Sequence, residues 1–165
     1  MGEDLVRQAN IEDIEAFCEI LCASIRDLCA ADHGDDPEAI ARWTANKTPE
    51  HVAGWIVDPR LTPLLAVRNG EPAGVGCIGE DGEVLLNYVG PAHRFSGVSR
   101  MLLTHMEEML AVRGVGIGRL TSTETAHRFY REAAWVDSGE PEILFGLKGY
   151  PMTKDLTARF RPDER

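Results

Sequence analysis

The stretch Asn87-Tyr-Val-Gly-Pro-Ala-His-Arg-Phe-Ser-Gly-Val-Ser-Arg100 decides the reading of this chain: an apolar strand runs through a glycine-containing loop into a helix that begins near Val98. Loop amides and the N–H groups of a first helical turn point the same way, and with the helix dipole they hold an anion. A phosphorylated cofactor is therefore the first expectation. Gly97 fits a close backbone approach to phosphate and fits a plain turn equally well. A second glycine run, Gly114-Val-Gly-Ile-Gly118, follows a helix and leads into a strand. That is the reverse order of a dinucleotide fingerprint, so it reads as a helix stop and turn. The absence of a Gly-x-x-x-x-Gly-Lys-Ser/Thr loop argues against a nucleoside-triphosphate enzyme.

Working outward, residues 61–68 and 73–79 flank Asn69-Gly70, a strong two-residue hairpin signal, and Asp81-Gly82 turns the chain into residues 83–89. Three sequential antiparallel strands are expected. Residues 5–9 read as a short strand, and Asn10 offers an N-cap before Ile11, Ile14, Phe17, Cys18, Leu21, Ile25, Leu28 and Cys29, one amphipathic helix or two in succession. Asp36-Pro37 and Thr48-Pro49 each pair a capping side chain with Pro at the first helical position, predicting short helices over 37–45 and 49–57. Downstream, helix 98–113 ends at Gly114, Leu120 anchors a strand, 124–133 is a helix, and 135–137 and 143–148 are closing strands. The order implies an α/β (α+β) domain: a mixed, mostly antiparallel twisted sheet of six or seven strands with helices on both faces.

At 165 residues, 44% hydrophobic and 27% charged, the chain suits one domain over residues 3–155, with a charged, fraying tail at 156–165. No apolar run approaches the roughly 20 residues that span a bilayer, and the N-terminus lacks the order of a signal peptide. A cytoplasmic protein with no membrane partner is expected. The formal charge of −10 argues against nucleic acid, whose phosphates need a basic face. Cys18, Cys22 and Cys29 share a helical stripe and Cys77 sits alone in a strand, which fits reduced, buried thiols and neither a disulfide framework nor a metal site.

A second constellation, Thr123-Glu-Thr-Ala-His-Arg-Phe-Tyr-Arg-Glu-Ala-Ala-Trp135, follows the strand that should lie beside residues 83–89. Here the chain resembles the Gcn5-related N-acetyltransferases, the GNAT family. Residues 94–99, Arg-Phe-Ser-Gly-Val-Ser, look like that family's pyrophosphate loop, Gln/Arg-x-x-Gly-x-Gly/Ala, and Ala126-x-x-Phe129-Tyr130 looks like its Ala-x-x-Phe-Tyr helix. The likeness covers roughly residues 5–155. Three positions depart from the pattern: Ser99 replaces the last Gly or Ala, Thr123 stands where an Asn is common, and Ala134-Trp135 replaces Gly-Phe.

The resemblance implies acetyl-CoA as co-substrate, a bulged strand 83–89 that splays from the strand at 118–122, and direct acetyl transfer to an amine without metal. Backbone at Tyr88 and Val89 would bind pantetheine. The amides of Phe95, Ser96, Gly97, Val98, Ser99 and Arg100 would hold pyrophosphate, with Arg94, Arg100 and Thr123 adding contacts. Tyr130 is the candidate acid for the departing thiolate, with a packing role for its ring as the other reading. Glu83, eleven residues before Arg94, is the candidate base, and Asn87, ordered water, His33 and His51 are the others. Cys77 as an acyl-carrying nucleophile lacks an adjacent base. The helices over 11–57 would wall the acceptor pocket, with Trp43, Trp55, Tyr88, His33 and Asn87 as candidate lining. The acceptor would be an amine of a small molecule or protein, and exposed sheet edges allow a homodimer. A non-catalytic acyl-CoA-binding module is the alternative, since the cradle works without acid or base.

Overall fold

The computed structural model describes residues 2–160. Its centre is the expected meander, β2 (Leu61–Arg68), β3 (Glu71–Gly79) and β4 (Glu83–Val89). Asn69 and Gly70 both take positive φ, 52° and 77°, the pair of left-handed conformations that a two-residue hairpin needs. β1 (Leu5–Gln8) adds antiparallel to β2. On the other side β5 (Ile117–Ser122) joins β4 in parallel, and β8 (Leu147–Asp155) joins β5 antiparallel. β6 (Val136–Asp137) and β7 (Glu142–Leu144) both pair with β8.

The mixed, mostly antiparallel sheet thus has eight strands where six or seven are expected. The extra strand comes from residues 143–148, which are not one strand. Phe145 and Gly146 take φ of 54° and 77°, folding the run into a tight hairpin with Leu144 opposite Leu147. β8 continues to Asp155, Leu156 is buried in the core, and Thr157–Phe160 form a 3-10 turn. The remainder of the expected tail, 161–165, lies outside the described residues.

Helices cover both faces because two sets of alternating strand residues need covering. On one face lies α1 (Ile14–Leu28), with α2 (Ala30–His33), α3 (Pro37–Thr44) and α4 (Pro49–Val57). The capping side chains act as their sequence predicts: Asn10 accepts from Glu12 N, Asp36 from Glu38 N and Thr48 from His51 N. Phe17, Leu21 and Ile25 of α1 pack there with Trp43, Leu65 and Val75. On the other face α5 (Val98–Val112) places Leu102, Met106 and Leu110 against Leu64, Ile78 and Val84. Gly74 and Gly76 of β3 admit this helix closely. A Cβ at Gly74 would meet Val98 Cγ1 at 2.7 Å, and one at Gly76 would meet Met106 Sδ at 3.0 Å. α6 (His127–Glu132) closes the second core with Tyr130 and, just beyond it, Trp135.

Candidate active site

β4 pairs with β5 only at its own start, where Glu83 faces Arg119 and Val84 faces Leu120 in the middle of β5. The cause is a bulge at Leu85: Cys77 of β3 pairs with Leu86 while Ile78 pairs with Val84, leaving one residue of β4 over. The extra residue bends β4 away from β5. From Leu85 onward its outer edge has no partner strand, although β3 still pairs with Asn87, Tyr88 and Val89 on the inner side. Two cavities flank the gap, of about 470 Å³ and about 430 Å³, and both are lined by Val84, Leu86, Tyr88, Thr121 and Thr123. A gap edged with unused peptide groups is a place for an extended amide-bearing ligand to lie like a strand.

The larger cavity runs under the loop between β4 and α5 and has Arg94, Phe95, Gly97, Val98, Ser99 and Arg100 in its wall. Phe95 takes φ +60° and Gly97 takes φ +84°, so the backbone curls before the helix starts. Met101 N, 3.0 Å from Gly97 O, is the first amide of this turn to find a helical acceptor. Val98, Ser99 and Arg100 precede it as the first three helical residues, whose N–H groups have no partner inside the helix. The space over Gly97 is open, with no atom within 4 Å of a Cβ built there. First-turn amides at the amino end of a fifteen-residue helix fit the pyrophosphate that the sequence predicts. Side chains divide differently. Val98 is buried as an anchor, Ser96 Oγ donates to His93 O, and the Arg94 and Arg100 guanidinium groups lie over the Phe95 and Phe129 rings at 4.6 and 5.6 Å.

Tyr130 and Asn87 meet deeper in the same cavity. Burial pushes the Tyr130 phenol up to about 12, with the Asn87 amide pulling the other way. The Asn87 Nδ2 donates to Ser99 O at 3.3 Å, and its Oδ1 is buried with no hydrogen-bond partner among the described residues. A buried carbonyl oxygen without a donor, beside a phenol, is a further sign that a polar ligand belongs here. Asn87, a candidate for acceptor contact in the sequence reading, lines the larger cavity and not the smaller one. Thr123 Oγ1 accepts from Ala126 N at 3.1 Å, capping the turn into α6.

The smaller cavity is apolar, with Trp43, Trp55, Tyr88 and Phe145 in its wall and Glu83 and Lys47 among its few charged groups. Glu83 is half-buried, and its carboxyl is raised above the ordinary carboxylate range first by burial, then by Asp81, with Arg119 opposing and Glu142 adding. Of the candidate acceptor residues, Trp43 lines this cavity and His33 does not. Its ring is buried, with Nε2 2.8 Å from Ile25 O and Nδ1 accepting from Asp35 N, so both nitrogens serve the turn after α1. His51 is exposed at the start of α4, its Nδ1 2.7 Å from Thr48 Oγ1. Cys77 in this cavity and Cys29 in the other are each pushed up to about 12 by burial, so both are thiols at neutral pH. Among the described residues no group of three or more His, Cys, Asp or Glu side chains is arranged to hold a metal ion.

Three contributors escape the sequence reading. Asp32 accepts from Glu124 N, Thr125 N and Thr125 Oγ1 at 2.7, 3.1 and 2.5 Å, tying α2 to the loop after β5. No local signal announces a cap that spans ninety-odd residues. Lys47 and the β7–β8 hairpin reach the acceptor cavity from opposite ends of the sequence. His93 faces the cofactor cavity from the loop's first turn.

A splayed parallel strand pair, an anion-binding loop opening a long helix and a buried tyrosine at the junction define an acyl-CoA-using fold. The chain belongs to the GNAT acetyltransferase family: residues 29–156 match the family described as Acetyltransferase (GNAT) domain. Solved structures share the fold. A Gcn5-related N-acetyltransferase from Rhodopseudomonas palustris is 23% identical, with a TM-score of 0.82 and coverage of 94% of this chain and 97% of that one. The PaiA N-acetyltransferase from Thermoplasma acidophilum, solved in complex with coenzyme A, is 21% identical, with a TM-score of 0.77 and coverage of 93% and 99%. YncA from Salmonella typhimurium, solved with its cofactor acetyl-CoA, is 20% identical, with a TM-score of 0.64 and coverage of 99% and 100%. None of the curated proteins matches the sequence.

Proposed function

We propose that the protein is an N-acetyltransferase that moves the acetyl group of acetyl-CoA directly to an amine of a small molecule or protein. The observation that carries this reading is the pair of cavities sharing one wall at the splayed strands, with Tyr130 lining one and Glu83 the other. Acetyl-CoA supplies the activated acetyl thioester. Its pyrophosphate fits the loop of residues 95–100 that opens α5, and its pantetheine fits the open edge of β4 at Tyr88 and Val89.

An ammonium has no lone pair with which to attack, so a proton must leave the acceptor first. Glu83 accepts it, directly or through water, and burial strengthens the carboxylate as a base. On the other side the departing sulfur needs a proton. Tyr130 holds one at neutral pH because burial disfavours its phenolate. Neither cavity cysteine is a thiolate at neutral pH, which favours direct transfer over an acyl-enzyme route.

The test is acetyl-CoA titrated by calorimetry, followed by thiol release on addition of a panel of primary amines. Saturable binding with amine-dependent thiol release is expected. Binding without release from any amine would reject the reading in favour of a binding module.

A further inference from the structure

The smaller cavity carries side chains of both charges in its wall. Its lining acids are Glu83 and Asp32, and its lining cations are Lys47 and Lys148. Asp32 is taken by its three hydrogen bonds to Glu124 and Thr125, and Lys148 is engaged by Tyr150, with which its side chain hydrogen-bonds. Glu83 and Lys47 are left. No Asp or Glu pairs with Lys47 among the described residues, and its ammonium donates to Asn46 Oδ1 at 2.7 Å. Its Nζ sits 5.9 Å from the centre of the Phe145 ring at the hairpin tip. Burial lowers its pKa, so the ammonium is poorly hydrated where it stands.

Other features strengthen the polarity. Asp81 and Glu142 add negative charge around Glu83, with Arg119 opposing them. At the hairpin end Arg42 joins Lys47: a Cβ added at Gly146 would lie 3.8 Å from Arg42 Nη2. Two cations thus meet one hairpin turn in a chain of net charge −10. The backbone of Lys47 is fixed as well. Its carbonyl accepts from Cys18 Sγ at 3.0 Å and Cys22 Sγ at 3.3 Å, which pins the α3–α4 loop to α1. Beside the charged groups the wall is aromatic and aliphatic, including Trp43, Trp55 and Leu86.

We infer that the acceptor is a primary amine with an apolar, ring-sized body and an anionic group, the amine lying at Glu83 and the anion at Lys47. The inference rests on the acyl-transfer reading for the amine end alone. A half-buried lysine without a carboxylate partner is completed by an anionic ligand, and a charge-assisted contact there selects among amines of equal size.

Three probes of one scaffold separate the possibilities: 4-(aminomethyl)benzoate, benzylamine and 1,4-bis(aminomethyl)benzene. Their binding is read by quenching of Trp43 and Trp55 fluorescence with coenzyme A present, and their turnover by thiol release. The benzoate is expected to bind at least about tenfold more tightly than benzylamine, and the diamine more weakly still. Lys47→Met should bring the benzoate-to-benzylamine ratio to about one, and Lys47→Arg should restore most of it. Preference for the diamine, equal binding of all three, no binding, or an unchanged ratio in Lys47→Met would each overturn the inference. Benzoate binding that depends on Lys47 without thiol release would keep the inference and sink acetyl transfer instead.

Discussion

Burial raises the pKa of both Tyr130 and Glu83, and the same shift suits opposite tasks. A phenol held protonated remains a donor, and a carboxylate made more basic becomes a better acceptor. Tyr130→Phe is expected to lower kcat about 100-fold while the acetyl-CoA dissociation constant stays within about twofold, since the proton matters in the transition state. Unchanged turnover would remove Tyr130 from the acid role. Glu83 must be deprotonated to act, so activity should fall on the acid side at a pH above the ordinary carboxylate range. Asp81 raises the Glu83 pKa and also pairs with Arg119 at 3.1 Å. Asp81→Asn removes the raising charge and frees the lowering one, so the acid limb of kcat/KM should move to lower pH. A limb that stays or rises would exclude Glu83 as the base. Ala134 concerns stability alone. It takes φ +70° after α6, where Trp135 N and Ala134 N donate back to Tyr130 O and Arg131 O, a helix stop that glycine favours. Ala134→Gly should stabilise by roughly 0.5–1 kcal/mol, the left-handed strain of about 1–2 less glycine's entropy of about 0.5–1. A lowered thermal midpoint would contradict this.

Among the elements, the loop and β4 carry the site, and their legibility differs. The loop was readable because its chemistry is local: Gly97 stands immediately before Val98, and the free amides of the first turn follow from where the helix starts. Gly97→Glu should raise the acetyl-CoA dissociation constant at least tenfold, since the open space above it then holds a carboxylate where phosphate belongs. An unaltered constant would take the loop out of the site. The bulge at Leu85 was accessible only through the family pattern, because a register shift depends on the partner strand and Leu85 itself is an ordinary strand residue. The hairpin at Phe145-Gly146 hid inside an apolar run, for Phe seldom takes positive φ and nothing in Ile143 to Lys148 announces the fold-back. His33 shows the same limit. The sequence reading places it on a substrate-side helix, while its two ring nitrogens are fixed by Ile25 O and Asp35 N, local contacts set by the way the chain turns after α1 and not announced by residue type.

At the scale of the whole molecule, one sheet separates two cores and joins two cavities. α5 and α6 pack on one face and α1, α3 and α4 on the other, so in the proposed reading cofactor and acceptor meet where β4 and β5 part. That topology is why the cofactor half was legible from two short motifs, whereas the acceptor half draws on Trp43, Lys47, Glu83 and Phe145, scattered along the chain. It also makes a kinetic statement. If the acetyl group crosses the gap directly, both ligands must be present together, and no thiolate in either cavity is available to carry it between them. The most direct test is the initial rate of thiol release measured over a grid of acetyl-CoA and amine concentrations. Double-reciprocal lines that intersect are predicted, showing a complex of both ligands before transfer. Parallel lines, the mark of an acyl-enzyme formed and then discharged, would contradict the account.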